Sequence, residues 1–321
     1  MLPTLEPMRK NYGDLYLVIN HARISKIKFD ESFKVALNRS EDRYHTVFNA
    51  LAILTPEINA RINKLNRGND YVLIKPNCVV SHRPKCATHL DALKAVLDYI
   101  TPMWDGRIII AEGSAENTIE AFDKYGYVTL KSDFPNIEFL DLNYSDAIFV
   151  DILDKNLMPQ PVKISNTVAV APFRISVGPP KTHNDVVATL SIKNMAVGSV
   201  LKDDRPLLHQ GNRALNRSIA ALYEYTFPHL SVIDAFQSME GDGPINGKLV
   251  DTQFAAVSTN PLAADVLVTE LMGFNPIQVG YLNLLGAEKT EKQIQVIGAD
   301  PRTLQFHLKP HPTYLKQIDW V

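Results

Sequence analysis

Residues 71–112, YVLIKPNCVVSHRPKCATHLDALKAVLDYITPMWDGRIIIAE, decide the fold. YVLIKP and RIIIAE are short, continuous apolar runs rich in branched side chains, the pattern of strands buried on both faces. Between them Leu90, Leu93, Ala95, Val96, Leu97 and Ile100 recur at helical spacing over residues 88–100, and Thr88 with Asp91 three positions on resembles a variant capping box. Strand, helix and strand in that order predict a right-handed crossover joining two parallel strands.

The same alternation continues on both sides. Helices are expected within residues 43–54 and 56–65, over 117–125 and over 261–272. Strands are expected over 137–142, 149–151, 168–172, 230–234 and 254–258. This is the α/β class: largely parallel, Rossmann-like sheet layers flanked by helices, in two closely packed lobes. The expected division is an N-terminal extension over 1–70 with helices packing on the core, a first α/β lobe over 71–172, and a second lobe over 173–321 carrying most of the site.

Composition narrows the function classes. With 45% hydrophobic and 21% charged residues in 321 positions, the chain has enough material for a large core. A formal net charge of −2 provides no overall attraction to nucleic acid or to an anionic membrane, so neither is expected as a partner. No apolar run reaches the roughly 18 residues of a membrane-spanning helix. The opening MLPTLEPMRKNYGDLYL carries Pro and Glu where a secretory signal would need a continuous apolar stretch. Cys78 and Cys86 are too few for a disulfide framework or a Cys-rich metal site, and a reducing cytoplasm is the expected setting.

Chemistry is expected where charge meets apolar sequence. Residues 177–211 pack Lys181, His183, Lys193, Lys202 and His209 among small and apolar residues, and buried cations and imidazoles need anionic, metallic or hydrogen-bonded partners. Lys193 follows the apolar run VVATLSI, so it is either paired or functional. Ligands of parallel sheets bind at the carboxyl ends of the strands. That points to Lys75 and Asn77 after the first run, Glu112 and Ser114 after the second, and Arg174, Lys181 and Asn194 beyond. Glu240 and Asp242 follow a later strand, beyond Asp234, and can be read as ligands of a hard cation or partners of the lysines. Blander readings stand beside these: Ser114 or Asn117 as helix caps, Lys202 with Asp203 and Asp204 as a solvated cluster, EGDGP as a turn. Neither GxGxxG nor GxxxxGK[ST] occurs after a first strand, so a standard nucleotide site lacks its local signature.

These residues also carry a family resemblance. IKPN at 74–77, ATH at 87–89, IIIAEGSA at 108–115, PPKTHN at 179–184, TLSIKNMAVG at 189–198, VIDAF at 232–236 and MEGDGP at 239–244 resemble, in order and approximate spacing, the domain of unknown function 362 family. Some relatives add an iron–sulfur segment, and two cysteines rule that cofactor out here. More distantly, the separations of His183, Lys193 and His209 are similar to those in the nickel-pincer lactate racemases, built of two α/β domains. That likeness implies acid–base work for His183, a cofactor tether at Lys193 and a nickel ligand at His209, whereas Glu112 and Ser114 stand where a second catalytic histidine would be.

The expected function is therefore an enzyme acting on a small carboxylate-bearing or otherwise anionic metabolite, by acid–base or hydride-transfer chemistry in a cleft between the lobes. His183, Lys193 and Lys181 are the expected catalytic groups. Lys75, Asn77, Glu112, Ser114, Arg174 and Asn194 would bind the ligand, with Arg174 or Lys181 on its carboxylate. His209, Glu240 and Asp242 would hold a divalent metal or a nickel-pincer-type cofactor. A non-catalytic protein that binds an anionic metabolite or cofactor is the alternative.

Overall fold

The YVLIK strand stops at Pro76, which has no N–H to offer a neighbouring strand, and its partner RIIIAE lies parallel to it with Leu73 beside Ile109. A computed structural model describes residues 32–321; His21 and the opening segment weighed as a signal lie outside the described residues.

In chain order the elements are β1 (Lys34–Asn38), α1 (Arg43–Ile53), α2 (Thr55–Ile62), β2 (Tyr71–Lys75), α3 (Leu90–Ile100), β3 (Arg107–Glu112), α4 (Thr118–Lys124), β4 (Ile137–Asp141), β5 (Ala147–Leu153) and β6 (Pro159–Ser165). There follow α5 (Asn166–Ala169), β7 (Phe173–Gly178), β8 (Lys181–His183), β9 (Val187–Thr189), α6 (Ser191–Ser199), α7 (Asn212–Thr226), β10 (Leu230–Glu240) and β11 (Lys248–Ser258). The chain closes with α8 (Pro261–Leu271), α9 (Gly280–Leu285), α10 (Ala287–Glu291), β12 (Gln295–Gly298) and α11 (Tyr314–Ile318).

One sheet in the order β12-β1-β11-β10-β7-β2-β3-β4 organises the molecule. β10, β7, β2, β3 and β4 run parallel, while β11 is antiparallel to both its neighbours, so the fold is mixed α/β around a mostly parallel sheet. Strand alternation sorts the side chains onto two faces. Val72, Ile74, Ile108, Ile110, Phe173, Ile175 and Val177 pack with Leu51 of α1 and with Leu93, Val96 and Leu97 of α3. Each fully buried side chain of this size contributes about 1.5–3 kcal/mol. Leu73 and Ile109 face the other way, onto Met195 of α6. Lys75 has the parity of Leu73, and Arg174 and Ser176 have the parity opposite to Ile175, so all three polar side chains project toward the α6 side.

Several expectations need correction. Residues 168–172 are not a strand: α5 covers Asn166–Ala169 and the strand begins only after Pro172. A proline cannot donate within a central strand, and β7 is hydrogen-bonded on both sides. Residues 149–151 do lie in a strand, but β5 pairs only with β6, in a separate two-stranded sheet. The cap of α3 is His89, whose Nδ1 accepts from Asp91 N at 3.2 Å. Thr88 instead joins two loops, accepting from Asn77 N at 2.7 Å and donating to Val177 O at 2.7 Å. Asp234 is not at a strand end, since β10 runs on to Glu240, and it pairs with Arg43 at 3.2 Å.

Candidate functional site

α6 starts where Asp265, on α8, accepts the backbone N–H groups of Ser191 (3.0 Å) and Ile192 (2.9 Å). A carboxylate at a helix N-terminus fills two orphan donors and opposes the positive end of the helix dipole. The cap fixes the rotation of α6, and hence what its next turn presents. Asn194 and Gly198, one turn apart, share a face, and that face lies on the ends of β2 and β3.

At that contact Lys75 donates to Glu112 Oε1 (2.6 Å), Asn194 Oδ1 (3.0 Å) and Pro76 O (3.2 Å). Glu112 is further held by Cys78 N at 2.7 Å and Gly113 N at 2.8 Å. A Cβ at position 198 would lie 2.3 Å from Lys75 Nζ, so glycine lets the helix cross the ion pair. Asn194 passes the network on, accepting from Asn77 Nδ2 at 2.8 Å and donating to Ser176 Oγ at 3.0 Å. Asn77 Oδ1 in turn accepts from Lys181, which also donates to Cys86 O at 2.7 Å.

Lys193, which follows the apolar run VVATLSI, lies in the first turn of α6. It is 6% exposed, and among the described residues nothing accepts a hydrogen bond from its ammonium. Burial, reinforced by the Lys181 charge, lowers its pKa to about 7. Burial lowers Lys181 to about 8, partly opposed by Cys86 and Glu112. Lys75 is also lowered by burial, with Glu112 pulling it back.

His183 ends β8 and is 3% exposed. Its Nδ1 accepts from Asp185 N at 3.0 Å. A backbone N–H can only donate, so the neutral ring carries its proton on Nε2. Burial, followed by the charges of Lys193, His209, Lys181 and His311, holds the imidazole neutral, its pKa well below the usual value. At rest His183 is thus a hydrogen-bond donor. Acting as a base through Nε2 requires moving the proton to Nδ1 and losing the Asp185 bond.

The structure gives other expected residues different work. Arg174 does not reach toward a ligand: its guanidinium donates to Phe227 O (2.8 Å), Val168 O (3.0 Å), Ala169 O (3.2 Å) and Ala171 O (3.4 Å), closing the α5 turn. Ser114 Oγ donates to Val79 O at 3.2 Å, while Asn117 is the cap of α4. Among the described residues Glu240 and Asp242 bind neither a lysine ammonium nor each other. Glu240 accepts from Lys309 N at 2.8 Å and Asp242 lies 3.1 Å from His311 Nε2, so both tether the C-terminal segment. His209 is half-exposed, its Nδ1 3.9 Å from Asp185 Oδ2. Among the described residues no three His, Cys, Asp or Glu side chains converge to hold a metal, so the donor set does not fit a protein-held cation.

Three positioning groups escaped the sequence reading. Asp265, a lone acid in the apolar helix PLAADVLV, was the legible one. Arg205 joins Ser114 O (3.1 Å), Asn143 Oδ1 (2.8 Å) and Val200 O (2.8 Å). Gln317, buried in α11, donates to His183 O at 2.9 Å and accepts from Val187 N, closing the β8–β9 hairpin. A separate open depression of about 490 Å³ is lined by Glu116, Asn117, Ile119, Asp141, Tyr144 and Lys202. Its carboxylates are engaged already, Glu116 by Ser81 and His82 and Asp141 by Thr118 and Asn143.

The model of the family described as domain of unknown function DUF362 matches residues 72–270. The chain belongs to this family. The DUF362 chain is 25% identical over 266 residues to the thylakoid-associated protein sll1697 of Synechocystis, an alignment covering 78% of this chain and 79% of that one. Among solved structures, the lactate racemase apoprotein of Thermoanaerobacterium thermosaccharolyticum superposes with a TM-score of 0.49 at 15% identity, over 74% of this chain and 56% of its own. This chain therefore spans little more than half of that racemase. A Thermotoga maritima protein superposes with a TM-score of 0.34 at 10% identity, over 61% and 50% of the two chains. No helix among the described residues of the DUF362 chain is long and apolar enough to cross a membrane.

Proposed function

We propose that this DUF362 chain is an enzyme that binds a small carboxylate-bearing metabolite where α6, the β8–β9 hairpin and the end of β2 meet, and acts on it by acid–base chemistry. The observation that carries the reading is unbalanced charge. Lys75, Lys181 and Lys193 face two carboxylates, Glu112, which Lys75 occupies, and Asp185, whose charge acts on Lys193 without a hydrogen bond, and the acceptors of Lys181 are neutral. A unit charge about 4 Å from an anion is worth about 4 kcal/mol near a protein surface, so an incoming carboxylate is favoured. His183 supplies a neutral N–H donor to oxygen, where charge would build in an enolate or alkoxide. Racemisation by proton transfer belongs to this class of chemistry, and no step is assigned to a metal.

The neutral state of His183 equally supports a second reading, a protein that binds the anion without turning it over. Calorimetry with acetate and pyruvate separates the charge role from the rest. Lys193→Ala should weaken binding about tenfold or more, about 1.4 kcal/mol, and equal affinity in the variant refutes the anion site. For a substrate found by screening small acids, unchanged turnover in a folded His183→Ala variant would leave only the binding reading. A cytoplasmic setting is part of the same proposal, supported by two buried cysteines outside any disulfide and tested by cell fractionation.

A further inference from the structure

The three buried lysines differ in how many of their three N–H donors are used. Lys75 has an acceptor for each: Glu112, Asn194 and Pro76. Lys181 has two, Asn77 and Cys86, leaving one. Lys193 has none among the described residues, although it is 94% buried by the complement of its 6% exposure. Beside them His183 keeps Nε2–H without an acceptor among the same residues, its Nδ1 being taken by Asp185 N and its carbonyl by Gln317. A lysine whose stem is buried, whose amine finds no acceptor among the described residues and reaches the surface, and on which a second ammonium acts, is in the environment that leaves it uncharged and nucleophilic.

We propose that Lys193 is a nucleophile that condenses with the carbonyl group of a small oxo acid, whose carboxylate takes the spare N–H of Lys181. This rests on the anion site proposed above and names its substrate class. Neutral Nζ adds to the carbonyl carbon, forming a C–N bond while His183 Nε2–H hydrogen-bonds the carbonyl oxygen. The carbinolamine then loses that oxygen as water, which takes both amine protons, and an imine remains. No oxidant, reductant or metal enters, and hydrolysis reverses the step. Lys75 does not compete because Glu112, Asn194 and Pro76 already engage its amine. The lowered pKa of Lys193, about 7, is consistent with the assignment.

The test is borohydride trapping of the whole protein with pyruvate at neutral pH, followed by peptide mass mapping, with acetone and acetate as probes lacking the carboxylate and the carbonyl. The reduced pyruvate adduct should map to Lys193 in excess of surface lysines by on the order of 10³-fold, the difference in neutral amine at pH 7 expected between a pKa near 7 and one near 10.5. Acetone should label it far less, and Lys193→Arg should lose the adduct while still binding acetate. Acetate binding without a pyruvate adduct at Lys193, or an adduct centred on another lysine, overturns the nucleophile and leaves the anion site standing. If the folded protein neither binds acetate nor forms the adduct, both fall together. Circular dichroism of Lys193→Arg, which keeps the positive charge, establishes that a lost adduct is not a lost fold.

Discussion

Gly198 and Lys75 occupy one space: where any other residue on α6 would carry a Cβ, the Lys75 ammonium stands, 2.3 Å from that position. The helix that presents Lys193 can therefore lie on the sheet only because position 198 has no side chain, and the ion pair beneath can stay dry only because the helix covers it.

Gly198→Ala should consequently be far costlier than its helix propensity suggests, since alanine normally stabilises a helix interior relative to glycine. Overpacking of this kind costs about 1–3 kcal/mol, and displacement of Lys75 from Glu112 adds to it. Urea unfolding should show the loss, and a variant as stable as the parent would mean that α6 does not press on the pair.

Lys75 and Glu112 should behave as a unit. Removing one partner of a buried ion pair costs about 3–5 kcal/mol because the other charge is left uncompensated. Lys75→Met and Glu112→Gln should each approach that loss, and the double variant Lys75→Met/Glu112→Gln should lose much less than the sum. Additive losses in this cycle would show that Asn194 and the backbone N–H groups, not the pair, carry the energy.

Lys193→Met should stabilise the protein while weakening anion binding about tenfold or more. Its folded pKa lies near 7, below the unfolded value of about 10.5. The unfolded chain therefore holds more protons between those values, and the wild type gains stability as pH rises through them. Methionine removes the buried-charge cost, so a gain of about 1–4 kcal/mol is expected at neutral pH, shrinking toward pH 10. Thermal melts across that range read the difference, and destabilisation by Lys193→Met at pH 7 would contradict the buried, unpaired lysine.

Acid should weaken the fold through two histidines. His183 and His229 are both held neutral with pKa values well below normal, chiefly by burial and then by neighbouring cations. Their stabilising contribution is complete above the unfolded value near 6.5 and is lost as pH falls below it, at up to about 1.4 kcal/mol per pH unit for each. Replacing either by glutamine should flatten the pH dependence between about 6.5 and 4.5. An unchanged slope in both variants would place the acid sensitivity in the carboxylates instead.

The α/β class, the crossover around α3 and the parallel pairing of β2 with β3 were all readable from periodicity, because a buried strand or amphipathic helix writes its environment into every second or fourth residue. Lys75, Glu112, Lys181, His183 and Lys193 were also marked in advance, as polar residues after apolar strands or clustered among small and apolar segments. Roles were another matter. Arg174 looked like a carboxylate fork and is a clasp for α5, because its parity and position in β7 were hidden by the misplaced strand over 168–172.

Tertiary structure alone distinguished the three lysines. Periodicity is a property of neighbours in the chain, whereas hydrogen-bond satisfaction depends on groups brought together from far apart: Asp265 reaches Ser191 across 74 residues and Gln317 reaches His183 across 134. A lysine that is paired and a lysine that is not have the same letter, and only the neighbours that folding assembles decide that Lys75 is spent on Glu112 while Lys193 is left with its amine unmatched.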